Sequence, residues 1–485
     1  MMRRLVFAAA MAAVLLPWGR LAAAYRSALI TQPEARRHGL SRAWYTQIQL
    51  DQARARVRNV VLHQGTLFVQ TDRAMLHAID AETGQTLWAV QVGLANHPSM
   101  TPGVNSNLVA VVNGSYVYVL NRYNGKLLWK TQLDGAPGAG AALSERRAYI
   151  PTVQGLIYSF ELEPAKDPAV ELGLVKKKKP RAEETETERA ERIDSLRLQQ
   201  EYAPPLACQS AGRSLVQPIV TRQEPGREYA AWPTDAGYLF VGLVDLRDNR
   251  FTIKYRLETD AGIAAQPTYL PPDPEITGDS GVIYAVSRDG FAHAILEKTG
   301  EALWRFSTGE PIIRPAPVVQ DKVYVATQPG GMYCLSAKSG AEIWWTPGVL
   351  QFVAASKSRV YVADRLQQVL VLDAKTGSRL DAIPGTALPI KLLNDETDRI
   401  YLATHTGLIQ CLHEIALTKP IRHDEARKPK APPPTVQQEG LGPATKEKPA
   451  PKPKPVAEKP APKADNPFEG QQKPAAKDED NPFEQ

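Results

Sequence analysis

The sequence predicts an all-β chain folded as an eight-bladed β-propeller of four-stranded antiparallel sheets, with seven blades as the runner-up count. Three observations carry this expectation: a glycine-to-tryptophan spacing that recurs along the chain, a period near forty residues, and an N-terminal strand that matches the one missing from the last repeat.

A glycine turn is followed four residues later by one slot in Gly84…Trp88, Gly125…Trp129, Gly300…Trp304, Gly340…Trp344 and a decayed copy, Gly377…Asp381. Six residues before each glycine stand Ala78, Val119, Ala294, Cys334 and Val371, small or apolar residues suited to the buried face of a strand. Four before it stand Asp80, Asn121, Leu296, Ser336 and Asp373, and the Asp, Asn and Ser side chains can bond a turn's own amides. Glycine supplies the positive φ of a tight hairpin, and the tryptophan opens the returning strand. An aromatic of this class buries roughly 150 to 250 Å². One hairpin alone offers no such surface, so the units must stack on copies of themselves.

Trp88 and Trp129 are 41 positions apart, and Trp304 and Trp344 are 40 apart, the length of a four-stranded blade. Upstream of the hairpins lie apolar stretches punctuated by proline: His97-Pro98-Ser99-Met100-Thr101-Pro102, Leu215 to Val220 around Pro218, Ala264 to Thr268 around Pro267, and Arg314-Pro315-Ala316-Pro317. Proline is tolerated at a strand's start but not within a paired central strand, so these read as entries to the innermost strands.

The blades are expected to begin near Val57, Leu94, Ala136, Leu206, Ile263, Ile313, Gln351 and Thr386. The eighth, ending around residues 404–412, has no Trp strand after it. Trp44-Tyr45-Thr46-Gln47-Ile48 matches Trp129-Lys130-Thr131-Gln132-Leu133 position by position and is expected to complete it, which removes exposed edges. The fourth unit is the weakest, because Phe251 to Tyr255 replaces the Trp strand and no glycine turn is evident.

The string Ala78-Ile79-Asp80-Ala81-Glu82-Thr83-Gly84-Gln85-Thr86-Leu87-Trp88 resembles the Trp-docking repeat of the pyrroloquinoline quinone (PQQ) propeller family, and the resemblance covers about three quarters of the chain. It implies the propeller fold and raises one enzyme reading, a PQQ- and calcium-dependent quinoprotein dehydrogenase. Enzymes of that kind carry a bridged pair of adjacent cysteines, an aspartate base and a calcium-binding carboxylate and amide set. This chain has no adjacent cysteine pair and no Cys-x-x-Cys-His haem sequence. Asp80 and Asp373 are the candidate calcium ligands under that reading, but their repeat position makes them turn residues of outer hairpins.

The remaining chemistry is sparse. The eight histidines, His38, His63, His77, His97, His293, His405, His413 and His423, show no zinc-type spacing. His77 and His293 share one slot but fall in blades on opposite sides of the ring. Gly-x-Ser-x-Gly and Walker-type strings are absent. Cys208, Cys334 and Cys411 read as core residues, since a whole blade separates the slots of the last two and a bridge needs Cα atoms within about 7 Å.

Of 485 residues, 58 are Lys or Arg and 52 Asp or Glu, a net charge of +6. Residues 1–24 are laid out as a secretory signal: Arg3 and Arg4, an apolar stretch from Val6 to Leu16, then Leu21-Ala22-Ala23-Ala24. No cysteine at the cleavage site offers lipid attachment, and the apolar run is short for a membrane span. Residues 25–43 form a leader, 44–416 the propeller, and 163–200 a charged insertion with Lys176 to Lys179 and an acidic stretch, expected to be a mobile loop carrying a short exposed helix with a Glu188–Arg192 pair. Residues 417–485 form a Pro/Lys-rich tail too poor in apolar residues for a core. It repeats Asp-Asn-Pro-Phe-Glu, placing Asn466, Pro467 and Phe468, then Asn481, Pro482 and Phe483, as candidate partner-binding pegs; low-complexity duplication is the competing explanation.

These features point to an exported, periplasmic or secreted, non-enzymatic and monomeric scaffold that binds envelope or secreted proteins, with no resident cofactor and no nucleic acid. Contact with the cell envelope through the basic tail is a further expectation. Among propeller families the chain resembles the propeller subunits of the outer-membrane β-barrel assembly machinery in repeat type and blade number. It departs from them in its missing lipid-attachment cysteine, its insertion and its long tail.

Overall fold

Among the described residues thirty-two strands pair into eight four-stranded antiparallel sheets, each meandering outward from an axis. The computed structural model describes residues 29–162, 184–195, 204–274 and 276–423. The predicted signal segment, the Lys176 to Lys179 run and the tail from residue 424, with Phe468 and Phe483, lie outside the described residues; residues 417–423, expected to belong to the tail, are instead bonded to blade 8.

Blade 1 comprises Val57–His63, Thr66–Thr71, Met75–Asp80 and Thr86–Gln91, and its successors repeat the plan at the predicted spacing. Second and third strands are apolar on both faces because a neighbouring sheet covers each side; Leu108–Asn113 of blade 2 is buried throughout. Fourth strands lie at the rim and alternate instead. In Thr86–Gln91 only Trp88 is buried.

The ring closes as predicted. The strand Leu40–Gln47 pairs antiparallel with Leu408–Glu414, setting Trp44 opposite Cys411 as the outer strand of blade 8. That register repeats the pairs Ala78 with Trp88, Val119 with Trp129, Ala294 with Trp304, Cys334 with Trp344 and Val371 with Asp381. Helix α1 (Gln32–Arg37) leads into the closing strand, started by a capping box between Thr31 and Glu34.

Every indole predicted to dock reaches into the next blade, and the seams are therefore the core. Trp88 packs with Phe68, Leu76 and Ala78 of its own blade and Val109, Val111 and Leu120 of blade 2. An aromatic burying about 200 Å² at about 25 cal/mol per Å² contributes on the order of 5 kcal/mol of transfer free energy per seam before entropy. Second-strand tyrosines add a polar stitch to the same seams. Tyr401 of blade 8 donates to the Ala81 carbonyl of blade 1 at 3.2 Å, and Tyr284 of blade 5 to the Ala337 carbonyl of blade 6 at 3.0 Å.

Four local expectations need correction. Leu206 does not open blade 4: Leu206–Gln209 is the outer strand of blade 3, and blade 4 begins with Ile219–Glu224. The insertion parts the third and fourth strands of blade 3, which hides the period. Blade 4 does have a turn of the common kind, with Asn249 at φ +49° in place of glycine and Asp245 accepting from the amides of Arg247 and Asp248. Asparagine tolerates this left-handed conformation, so the turn escapes a search for glycine.

The insertion's helix α2 (Glu186–Asp194) is docked rather than free. Ile193 is wholly buried beside Trp129, Phe160 and Leu162, and Asn121 donates to the Ala190 carbonyl at 2.9 Å and to Asp194 at 2.8 Å. Trp129 thus meets a helix where other indoles meet a glycine turn. Arg192 pairs with Glu184 at 2.9 Å instead of the predicted Glu188, whose carboxylate closes the helix's capping box with Thr185.

Candidate functional site

The inner strands surround an axial channel with a cavity volume of about 680 Å³. Pro102, Pro218, Pro267, Pro315 and Pro317 line it, each at the entry to an innermost strand, as the sequence predicts. Proline carries no N–H to offer an unpaired strand edge, so these positions discourage pairing across the axis. The residues before them cap what remains. Gln217 donates to the Ala141 carbonyl of the preceding blade at 2.6 Å, Gln266 to the Pro218 carbonyl at 3.4 Å, and Arg314 to Gln351 at 2.8 Å. Lys391 is sunk in the wall, its ammonium donating to Gln367 at 2.9 Å and the Leu388 carbonyl at 3.0 Å, with burial pulling its pKa down to about 8.

At the face carrying the glycine turns, the channel runs into a cavity of about 460 Å³, sharing Leu62, His63, Thr268, Tyr269 and Asp395 with it. Leu62, Pro271, Val318 and Pro420 give this mouth an apolar wall, and Glu82, Glu396 and Arg422 bring charge to it. His63 is kept neutral: burial first, then the nearby Arg122, pulls its pKa down to about 4. Arg122 itself is buried and ties blade 2 to blade 1 through the carbonyls of His63 at 2.8 Å and Gln64 at 3.2 Å. The arrangement suits an apolar group held within an ionic rim.

The chain itself covers part of this mouth. After leaving blade 8, residues 415–423 cross toward the axis as a strap. Arg399, buried beside Asp398, donates to the carbonyls of Leu417 at 2.9 Å and Thr418 at 2.8 Å. Ile421 donates its amide to Asp398 at 2.8 Å, and His423 to the Glu396 carbonyl at 2.9 Å. His423 ends the strap fully buried at the mouth.

The residues predicted from the repeat lie in the seams, and of these Trp44 borders the mouth through Ala81 and Tyr401. Gly84, Gly125, Gly300, Gly340 and Gly377 all have φ between +68° and +78°, and a Cβ on any of them would come within 2.5–2.6 Å of the ring of Trp44, Trp88, Tyr255, Trp304 or Trp344, respectively. Both constraints demand glycine. The indoles of Trp44, Trp88, Trp304 and Trp344 donate to the carbonyls of Ala81, Arg122, Ala337 and Ala374 at 2.8–3.2 Å. Tyr255, missed as a docking residue in the sequence, makes the same bond to the Glu297 carbonyl through its hydroxyl at 2.7 Å. Its frame, Gly300 next along the ring, was the available signal.

Other candidates fall into structural roles. Asp80 accepts from the amides of Glu82 and Thr83 at 3.1 and 2.7 Å, and Asp373 does the same for Lys375 and Thr376 at 2.9 and 2.8 Å. Cys208, Cys334 and Cys411 are buried and unbridged; burial pushes the Cys334 thiol up to about 12. His77 and His293 are buried strand residues of blades 1 and 5, each with its pKa lowered by burial. Among the described residues no group of three or more His, Cys, Asp or Glu converges on a metal-sized site, and no helix is long and apolar enough to cross a membrane.

Register, docking and channel together define a closed eight-bladed propeller, and the family match that follows makes it one of the PQQ-like repeat type. It resembles BamB: a family model described as outer membrane protein assembly factor BamB matches residues 37–161 and 280–381. The outer membrane protein assembly factor BamB of Yersinia pestis is 23% identical over 294 residues, spanning 58% of this chain and 64% of that relative, which is less than two thirds of its length. The crystal structure of BamB from Moraxella catarrhalis is similar at 12% identity with a TM-score of 0.52, covering 77% of this chain and 97% of that one. The Saccharomyces cerevisiae protein Sqt1 is similar in fold at 9% identity with a TM-score of 0.55, covering 76% and 97%. Likeness at that identity reports architecture alone.

Proposed function

We propose that this chain is an exported, non-enzymatic scaffold that assembles partner proteins at the bacterial cell envelope and takes part in outer-membrane protein assembly. The observation that carries this reading is the match to the BamB family model on both flanks of the divergent fourth blade, together with a ring closed in the same repeat frame. A propeller is suited to the task because its faces are loops, whose side chains can vary without disturbing the docked sheets. In this reading no PQQ or calcium is resident, since Asp80 and Asp373 are engaged by their own turns. The tail's Phe468 and Phe483 serve as paired pegs for envelope proteins, and its lysines add peripheral contact with the envelope.

The test is crosslinking of the tagged full-length chain in native envelopes, with captured proteins identified by mass. Outer-membrane assembly components are expected, and Phe468→Ala with Phe483→Ala should lose the partners that depend on the tail. Capture no different from a tag-only control contradicts the scaffold reading. Dye reduction with an alcohol or sugar after adding PQQ and calcium contradicts the non-enzymatic one.

A further inference from the structure

We infer that the strap of residues 415–423 is a displaceable plug that closes one end of the axial channel, and that lifting it opens a binding cavity for apolar groups. The strap is held differently from everything beneath it. The blades are fixed by buried apolar seams, whereas Ile415 is 51% exposed, and Ala416, Thr418, Lys419 and Arg422 also lie open to solvent. The bonds that fasten the strap include those from Arg399 to Leu417 and Thr418, from Ile421 to Asp398, from Ile415 to Gly39 and from His423 to Glu396, and of its residues only His423 is fully buried. Segments with few buried apolar contacts open at free energies far below that of the whole fold.

What the strap covers is a defined cavity. Its last residues, Pro420, Arg422 and His423, form one wall of the mouth, and Leu62, Tyr269 and Val318 stand in the rest of that wall. Because the mouth and the channel share lining residues, the strap governs entry at this face to one continuous space. Its departure leaves Arg399 and Asp398 still paired with each other at 3.5 Å, with Glu82 also at 3.4 Å from Arg399, so the charges beneath it are not stranded.

The plug can be locked without touching Arg399. Thr397 and Arg422 are antiparallel bridge partners, and the bond from the His423 amide to the Glu396 carbonyl makes them a non-hydrogen-bonded pair, the kind with the closest Cβ atoms. In the full chain, Thr397→Cys with Arg422→Cys should form a disulfide. Binding of the apolar dye 1-anilinonaphthalene-8-sulfonate is then compared in the oxidised and reduced forms, alongside hydrogen exchange of the Ile421 and His423 amides. The plug predicts at least tenfold weaker dye binding and at least tenfold slower exchange in the oxidised form, with strand Ile400–Ala403 unchanged in both. Equal dye binding in the two forms overturns it, as does strap exchange in the reduced form that is no faster than that of Ile400–Ala403. A second variant, Arg399→Met, should raise dye binding and strap exchange while the near-ultraviolet signal of the docked tryptophans persists. Unchanged strap exchange in that variant also overturns the proposal.

Discussion

The imidazole Nδ1 of His38 lies 2.7 Å from Oδ2 of Asp381, joining the N-terminal approach to the outer strand of blade 7 where other blades place an indole. Blade 8 has no outer hairpin for an indole to meet, because its fourth strand comes from the other end of the chain. The slot at position 381 carries this hydrogen-bonded acid instead of an indole.

This pair predicts an acid-side dependence. Burial works to raise the Asp381 pKa, but the bonds from His38 and the Ala382 amide outweigh it and hold the carboxyl below its usual range. A depressed folded pKa contributes stability above the unfolded value, near 3.9, and loses it as pH falls through the folded value. Because Asp381 is 41% exposed, His38→Ala should cost less than about 1 kcal/mol at neutral pH. Urea melts should show that difference shrinking below about pH 4.

Glu228 predicts the opposite sign. It is fully buried, with Ser144 and Tyr149 donating to one oxygen at 2.8 and 3.0 Å; burial raises its pKa more than those bonds lower it. A raised folded pKa gives stability that is complete below the unfolded value, about 4.3, and lost as pH rises through the folded value. Glu228→Gln keeps an acceptor without the charge. Its melting temperature should exceed that of the parent at pH 8 and converge with it near pH 4; a parallel pair of pH profiles would rule this out.

Much of the ring is legible in the sequence because its seams use a residue pair with strict geometric needs. A tryptophan four residues after a left-handed glycine leaves a recurring pattern, and the match of Trp44 to Trp129 located the closing strand. The prolines before the inner strands were legible for a similar reason, since proline has few places in a sheet. Blade 3 was not, because 44 residues separate its third strand, ending at Glu161, from its fourth, beginning at Leu206. The channel mouth was illegible too: Arg399 meets Leu417 and Gln64 meets Glu396 through bonds that no period announces.

Asn249 gives a local check on the hidden turn of blade 4. Asn249→Gly should leave stability unchanged or raise it by less than about 1 kcal/mol, since glycine adopts φ +49° freely. Asn249→Val should cost about 1–2 kcal/mol for forcing a β-branched residue into that conformation. Chemical denaturation of both variants reads the difference.

Helix α2 stands in for a glycine turn against Trp129, so Ile193→Ala should cost about 2–4 kcal/mol, as for a buried aliphatic, despite lying in an insertion. A loss within about 0.5 kcal/mol, the range of surface substitutions, would mean that the helix does not support the blade 2 seam.

The claim beneath all of this is that four indoles, those of Trp44, Trp88, Trp304 and Trp344, each hold their blade to the next through one glycine, and Trp44 with Gly84 tests it where the two ends of the ring meet. The measurement is a double-mutant cycle of Trp44→Ala and Gly84→Ala by urea denaturation of the full chain. Since both changes break one contact, the double variant should fall short of the sum of the single losses by at least about 1 kcal/mol. Losses that add within about 0.5 kcal/mol would contradict the account.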